Sequence, residues 1–148
     1  MILYNKFWDL ADRGDAEMLL DWINNLLNKK KDDLDLRYLF LEILRWNNLD
    51  VEDDAEEPKV LMLCTETIKN KETLPAITIA KAYCYRGEMR HYGIDRRKDF
   101  DKAKAILKDL NQKDTEVKFL NQFIEFLYPL DFRQYLFIDT DYRNLFKF

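Results

Sequence analysis

Helix-breaking residues are scarce in this chain, which has only three glycines and three prolines among its 148 residues. Both residue types mark turns, so their scarcity favours helices joined by short connections. Hydrophobic residues make up 47% of the sequence, which is enough apolar material for a buried core. We therefore expect one all-α domain that spans residues 1–148.

Apolar residues recur at helical spacing along most of the chain, as Met18, Trp22 and Leu26 do on one face of a predicted helix. Asp99 and Thr73 are predicted caps of later helices, and either Asp114 or Thr115 is predicted to begin the helix before the tail, while the charged stretch from Gly87 to Lys98 is predicted as a loop. The tail at residues 131–148 fits one or two short helices or a strand. The predicted helices span about residues 2–12, 15–28, 33–47, 57–70, 73–89, 99–111 and 114–128.

Charge and cysteine content narrow the classes of partner and compartment. The formal net charge is −4 and the isoelectric point is about 5.1, which argues against binding to the polyanionic backbone of nucleic acids. Cys64 and Cys84 lie within apolar helical patterns, as buried, reduced cysteines do. The sequence contains neither a signal-peptide pattern nor an apolar run of membrane-spanning length. We expect a cytoplasmic protein that needs no cofactor.

The stretch ITIAKAYCYRGEMRHYGIDRRKDFDKAKAILKDL resembles a tetratricopeptide repeat, and more narrowly its Sel1-like variant, over about residues 73–111. The matching positions are Ile79, Ala80 and Tyr83 in the first helix, Gly93 and Ile94 in the loop, and Asp99 to Ala103 with Leu107 in the second helix. A second segment, Leu10 to Glu17, is similar both to the Sel1-like junction between repeats and to part of an ankyrin repeat. The resemblance implies antiparallel helix pairs stacked as a short α-solenoid, with residues 131–148 as a cap over its last face.

Membership of such a family implies a protein or peptide partner, bound along the concave surface of the stack. From the best-matching repeat, Lys81 and Tyr85 are predicted to line this groove, with Arg86 at its edge. The acidic run Asp50–Glu57 predicts contact with a basic partner, and the residues expected to make it are Asp50, Glu52, Asp53 and Asp54. A sharper hypothesis is a bacterial immunity or antitoxin-type protein that neutralises a basic toxin by charge complementarity.

Residues with catalytic or metal-binding chemistry are few and widely spaced. His91 is the only histidine, and with Cys64 and Cys84 it lacks the close paired spacing of structural zinc sites. The acidic run lacks the central glycine of a calcium-binding loop, and Asp139 with Asp141 is better explained as helix capping than as a magnesium site. We expect no catalysis. A small helical-bundle enzyme or metal-binding protein is one alternative, and a homo-oligomer joined through the aromatic tail is another.

Overall fold

The computed structural model describes residues 16–46, 56–90 and 93–129. Within these ranges the chain forms six α-helices and no β-strand, so the all-α prediction is confirmed for them. The predicted helix at 2–12, the tail at 131–148, His91 and the acidic residues Asp50 to Asp54 lie outside the described residues. The helices are α1 (Ala16–Lys29), α2 (Leu34–Trp46), α3 (Glu56–Lys69), α4 (Ala76–Met89), α5 (Gly93–Leu107) and α6 (Thr115–Leu127).

The chain divides into two compact units, with the boundary between Leu63 and Cys64, inside α3. Of the described residues, 16–46 and 56–63 belong to the first unit, and 64–90 and 93–129 belong to the second. The expectation of a single domain remains a prediction.

The first unit is built on the packing of α1 against α2. Their apolar stripes are buried and include Ile23 from α1 and Leu39 from α2. Glu56, buried in the first turn of α3, accepts a hydrogen bond from Arg37 of α2 at 2.9 Å. A carboxylate in that position is also stabilised by the helix dipole. The ion pair therefore joins α3 to α2 within this unit.

The second unit is a layered arrangement of α4, α5 and α6. Arg86 contacts Asp99, whereas Tyr83, earlier in α4, contacts Lys102, later in α5, so these two helices run antiparallel. Lys81 contacts Glu116 and Tyr85 contacts Phe123, so α4 and α6 run parallel. The residues that the repeat pattern places between α4 and α5 are all buried, namely Ile79, Ala80, Tyr83, Ala103 and Leu107.

The structure corrects two of the predicted caps and the predicted loop. Helix α4 ends at Met89, as the helix predicted at 73–89 does, but α5 begins at Gly93 and not at Asp99, so residues 93–98 of the predicted loop are helical. Asp99 lies inside α5 and is buried, which means that it is not a cap. Thr73 is not a cap either, because the position before α4 is occupied by Pro75 and the Thr73 hydroxyl donates to the Asn70 carbonyl.

The error at the predicted loop has a physical cause. The stretch is expected to be a loop because it is highly charged, but Arg96 within it and Asp99 directly after it are buried and paired inside the unit. A hydropathy pattern does not register buried charges as core residues. Of the two residues expected to begin α6, Asp114 is the cap, since its carboxylate accepts hydrogen bonds from the backbone amides of Glu116 and Val117.

Substitution of Gly87 by alanine should lower the free energy of unfolding by about 1–3 kcal/mol. A Cβ atom there would lie 2.8 Å from Cε1 of Phe100, whose ring is fully buried and has little space to move. The gain in helix propensity from glycine to alanine, about 1 kcal/mol, is the opposing effect. Urea denaturation would measure the difference. In a Phe100→Leu background the cost of the alanine should shrink, and an unchanged cost would contradict this steric explanation.

Candidate functional site

The three residues predicted to line a groove on α4 are engaged inside the second unit. The Lys81 ammonium donates to the Glu116 carboxylate at 3.0 Å, and its side chain is 13% exposed. Tyr85 is only 1% exposed and packs edge-on against Phe123 at 6.1 Å between ring centroids. The predicted outward position of Tyr85 is therefore wrong, because α6 covers this side of α4. A partner-binding role for Lys81 and Arg86 stays a prediction.

Arg86 forms the best-defined ion pair of the described residues. Its Nε and Nη2 atoms donate to the two carboxylate oxygens of Asp99 at 2.9 and 2.8 Å, and Nη1 of Arg90 lies 3.4 Å from the same carboxylate. The hydrogen bond to Asp99 raises the pKa of Arg86 above its ordinary value, against a smaller lowering by burial. This bidentate geometry ties α4 to α5 and leaves the Asp99 carboxylate occupied.

Arg96 is the largest buried polar side chain of the second unit and is 1% exposed. Nη1 donates to the Glu88 carbonyl at 3.1 Å, with longer contacts to the carbonyls of Gly87 and Arg90, and Nη2 donates to the Leu127 carbonyl at 3.1 Å. These carbonyls belong to the C-terminal ends of α4 and α6, where backbone acceptors lack intrahelical donors. One guanidinium therefore caps two helices.

Cys64 and Cys84 are free, buried thiols, as the sequence predicts. Burial raises the pKa of Cys64 from about 9 to about 12, and it raises the pKa of Cys84 further. The thiolate is the nucleophilic form of cysteine. Both side chains therefore remain protonated near neutral pH and behave as core residues.

The two thiols should make stability depend on pH in alkaline solution. In the folded protein they keep their protons at pH values where the unfolded thiols, with a pKa near 9, lose them. Below about pH 9 both thiols contribute fully to the free energy of unfolding. This contribution is lost as the pH rises towards about 12, at up to about 1.4 kcal/mol per pH unit for each thiol. Urea unfolding between pH 8 and about pH 10.5 would measure it. The Cys64→Ala/Cys84→Ala variant should show a flatter dependence, and an equal slope in both proteins would contradict the prediction.

No group of three metal-ligating side chains is found among residues 16–46, 56–90 and 93–129. A surface depression of about 240 Å³ lies in the first unit, lined by Leu26, Lys29, Lys30, Asp33, Asp35 and Leu36. That volume is below the range of about 300–1,000 Å³ typical of ligand pockets. Of the helices described, none is both long enough and apolar enough to cross a membrane.

The outer surface of α5 carries a concentrated set of exposed cations. Its midline is formed by Ile94, Asp101 and Ala105, whose spacing of seven and four residues places them on one face. Lys98 and Lys102 form a cationic row on one side of the midline. Arg97 and Lys104 form a row on the other side, which Lys108 continues in the turn directly after the helix. We call these eight residues the α5 face.

Sequence reasoning missed the α5 face because it treated residues 87–98 as a loop. With the helix beginning at Gly93 instead of Asp99, Ile94, Arg97 and Lys98 join the same surface as the later lysines. The recurrence of cations four and seven residues apart in the sequence is the signal that indicates a helical face. The acidic run predicted to bind the partner lies mostly outside the described residues. Of its described members, Glu56 is buried and Glu57 is half-buried.

Comparison of the chain with protein-family models, with curated proteins and with solved structures finds no match. The function therefore has to be argued from the geometry of the described residues.

Proposed function

We propose that this chain is a protein-protein interaction module made of stacked helix pairs, and that it binds its partner without catalysis. The observation that carries the proposal is the position of α4, which packs antiparallel to α5 and parallel to α6. In a stack of helix pairs, the first helix of one pair lies between its own second helix and the first helix of the next pair. Helices α4, α5 and α6 fit this order.

The buried small residues support a solenoid of the tetratricopeptide or Sel1-like type. Ala80, Ala103 and Gly87 bring α4 and α5 close together, with Phe100 against Gly87. Tyr83 and Leu107 are buried between the same helices. In this proposal, residues 131–148 form the terminal cap that a repeat stack requires.

The compartment proposed for the module is the cytoplasm. The support is the pair of free, buried cysteines, because exposed or closely spaced cysteines are more typical of secreted, disulfide-linked domains.

The more specific hypothesis, an immunity or antitoxin-type protein acting on a basic toxin, depends on the acidic run. Glu56 forms an ion pair with Arg37 within the first unit, so it contributes to the fold. Any contact with a basic partner would then fall to Asp50, Glu52, Asp53 and Asp54. Replacing these four residues by asparagine or glutamine should weaken binding to a basic partner and leave the helical content unchanged.

Affinity capture tests the general proposal. The tagged full chain would be recovered from its native cell, and each co-purified protein would be recombined with it in purified form. A complex of defined stoichiometry, with a dissociation constant of about 10 μM or lower, supports the binding module. A bound metal or small molecule without a protein partner would instead favour the enzyme or metal-binding alternative. Self-association alone, measured by light scattering, would favour the homo-oligomer.

A further inference from the structure

We propose that the α5 face binds an acidic helical segment of a protein partner. This inference rests on the proposed function and names the surface and the chemistry of the partner. The inference is based on two cationic rows that flank the midline of Ile94, Asp101 and Ala105 on the exposed side of α5.

The charge of the α5 face is opposite to that of the chain as a whole. The face carries five cations, Arg97, Lys98, Lys102, Lys104 and Lys108, against one carboxylate, Asp101, whereas the full chain has a formal net charge of −4. A concentrated positive surface on an acidic protein attracts an acidic partner and orients its approach.

Aromatic rings beneath the rows hold several of the cations in place. The Lys104 ammonium lies 4.2 Å from the ring centroid of Tyr128, and the Arg97 guanidinium lies 5.9 Å from the same centroid. On the other row, the Lys102 ammonium lies 5.8 Å from the Tyr83 centroid. Such cation–π contacts restrict the long side chains before binding, so that less conformational entropy is lost when a carboxylate pairs with them.

The midline defines how a partner helix would pack. Ile94 is 75% exposed, more than any other large apolar residue that the structure describes in the second unit, while Ala105 leaves room for a close approach. Residues seven and eleven positions apart form the contact strip of a two-helix interface, and charged residues that flank the strip select the partner. A 15-residue helix is about 22 Å long, which matches a partner helix of similar length.

A nucleic acid fits this surface less well than an acidic protein segment does. Asp101 lies on the midline, and Asp95 and Asp109 are exposed near the two ends of the face. These carboxylates would repel a continuous phosphate backbone, whereas a partner helix can place a lysine or an apolar residue opposite each of them.

Fluorescence anisotropy with synthetic probes tests the proposal. The probes are an amphipathic peptide of about 20 residues with glutamates flanking an alanine and leucine strip, the same peptide with lysines in place of the glutamates, and a DNA duplex. We expect the full chain to bind the acidic peptide, and to bind it more weakly when salt is raised from about 50 to about 200 mM.

Two charge-reversal variants distinguish the effect of the α5 face on peptide binding from the effect of the protein's net charge. Lys98→Glu/Lys104→Glu changes one cation of each row and should weaken binding of the acidic peptide about tenfold or more. Lys29→Glu/Lys30→Glu alters two exposed lysines, the last residue of α1 and its neighbour, and changes the net charge by the same amount, so it serves as the matched control. Circular dichroism would show that both variants are folded, and Ile94→Asp, which disrupts the midline, should also weaken binding.

Several results would overturn the inference. They are no binding of the acidic peptide at about 1 mM, an equal loss in the α5 variant and the control, or binding of DNA alone. Self-association that the α5 variant abolishes would also overturn it, because the occupant would then be a second copy. A captured partner that binds the wild type and the α5 variant equally would reject this surface and leave the proposed function standing.

Discussion

Replacement of Arg96 by methionine should lower the free energy of unfolding by about 3–5 kcal/mol, the largest loss expected from a single substitution in the second unit. The Arg96 guanidinium caps the C-terminal ends of α4 and α6 through the carbonyls of Glu88 and Leu127, both at 3.1 Å. Methionine has a similar apolar stem but donates no hydrogen bond. The variant would leave these buried carbonyls without the donor, and it would also remove a positive charge that interacts favourably with two helix dipoles.

Two further substitutions make the Arg96 prediction specific. Lysine at position 96 keeps the charge but presents a single ammonium, which cannot span two helix ends as a planar guanidinium does, so an intermediate loss is expected. Lys98→Met removes an exposed cation from the same helix and should change the free energy of unfolding by less than about 0.5 kcal/mol. Urea denaturation followed by circular dichroism would measure all three variants. Equal effects at positions 96 and 98 would show that Arg96 does not hold the helix ends.

Replacement of Asp99 by asparagine should cost about 2–3 kcal/mol. The substitution preserves shape but replaces one acceptor oxygen with an amide that points donors at the Arg86 guanidinium. Breaking a buried ion pair typically costs about 3–5 kcal/mol. We expect a smaller loss here because the Arg86 side chain is 14% exposed, so water can partly replace the lost interaction.

A double-mutant cycle tests whether Asp99 acts through Arg86. Arg86→Met combined with Asp99→Asn should cost clearly less than the sum of the single changes, because either one alone already breaks the pair. Asp101→Asn, at an exposed carboxylate on the same helix, is the matched control and should be nearly neutral. Additive effects at positions 86 and 99 would mean that each residue contributes through separate contacts.

The helices of this chain could be predicted wherever apolar spacing and caps agree. The α6 helix is the clearest case, since an apolar stripe follows Asp114 and the predicted cap is present in the structure. The start of the α5 helix was predicted incorrectly. Only its later half, with Phe100, Ala103 and Leu107, carries a recognisable stripe, and its first turns contain Arg96 and Asp99 at buried positions. Hydropathy describes the preference of a residue for water or for the protein interior, whereas burial of a charge depends on a partner that is distant in sequence.

The prediction of the candidate site was limited in the same way, because it used local patterns and not contacts between residues distant in sequence. Lys81, Tyr85 and Arg86 were placed on an outward face of α4 because a two-helix repeat leaves that face open. The structure instead covers Tyr85 with Phe123 from α6, a contact between residues 38 positions apart. The cations of α5 were present in the sequence, but they describe a surface only once the helix is known to begin at Gly93.

Residue type and neighbours within one or two turns were enough to predict that the described ranges are helical, that Cys64 and Cys84 are core thiols and that a helix begins at Asp114 or Thr115. Which charges are buried and which remain on the surface depends on how the helices pack. Arg96 and Arg97 are adjacent and chemically identical, yet one caps two helices in the interior and the other lies on the exposed α5 face. Burial of Arg96 is favourable only because its hydrogen bonds to backbone carbonyls of two helices offset the loss of hydration, and those acceptors come together only when the helices pack.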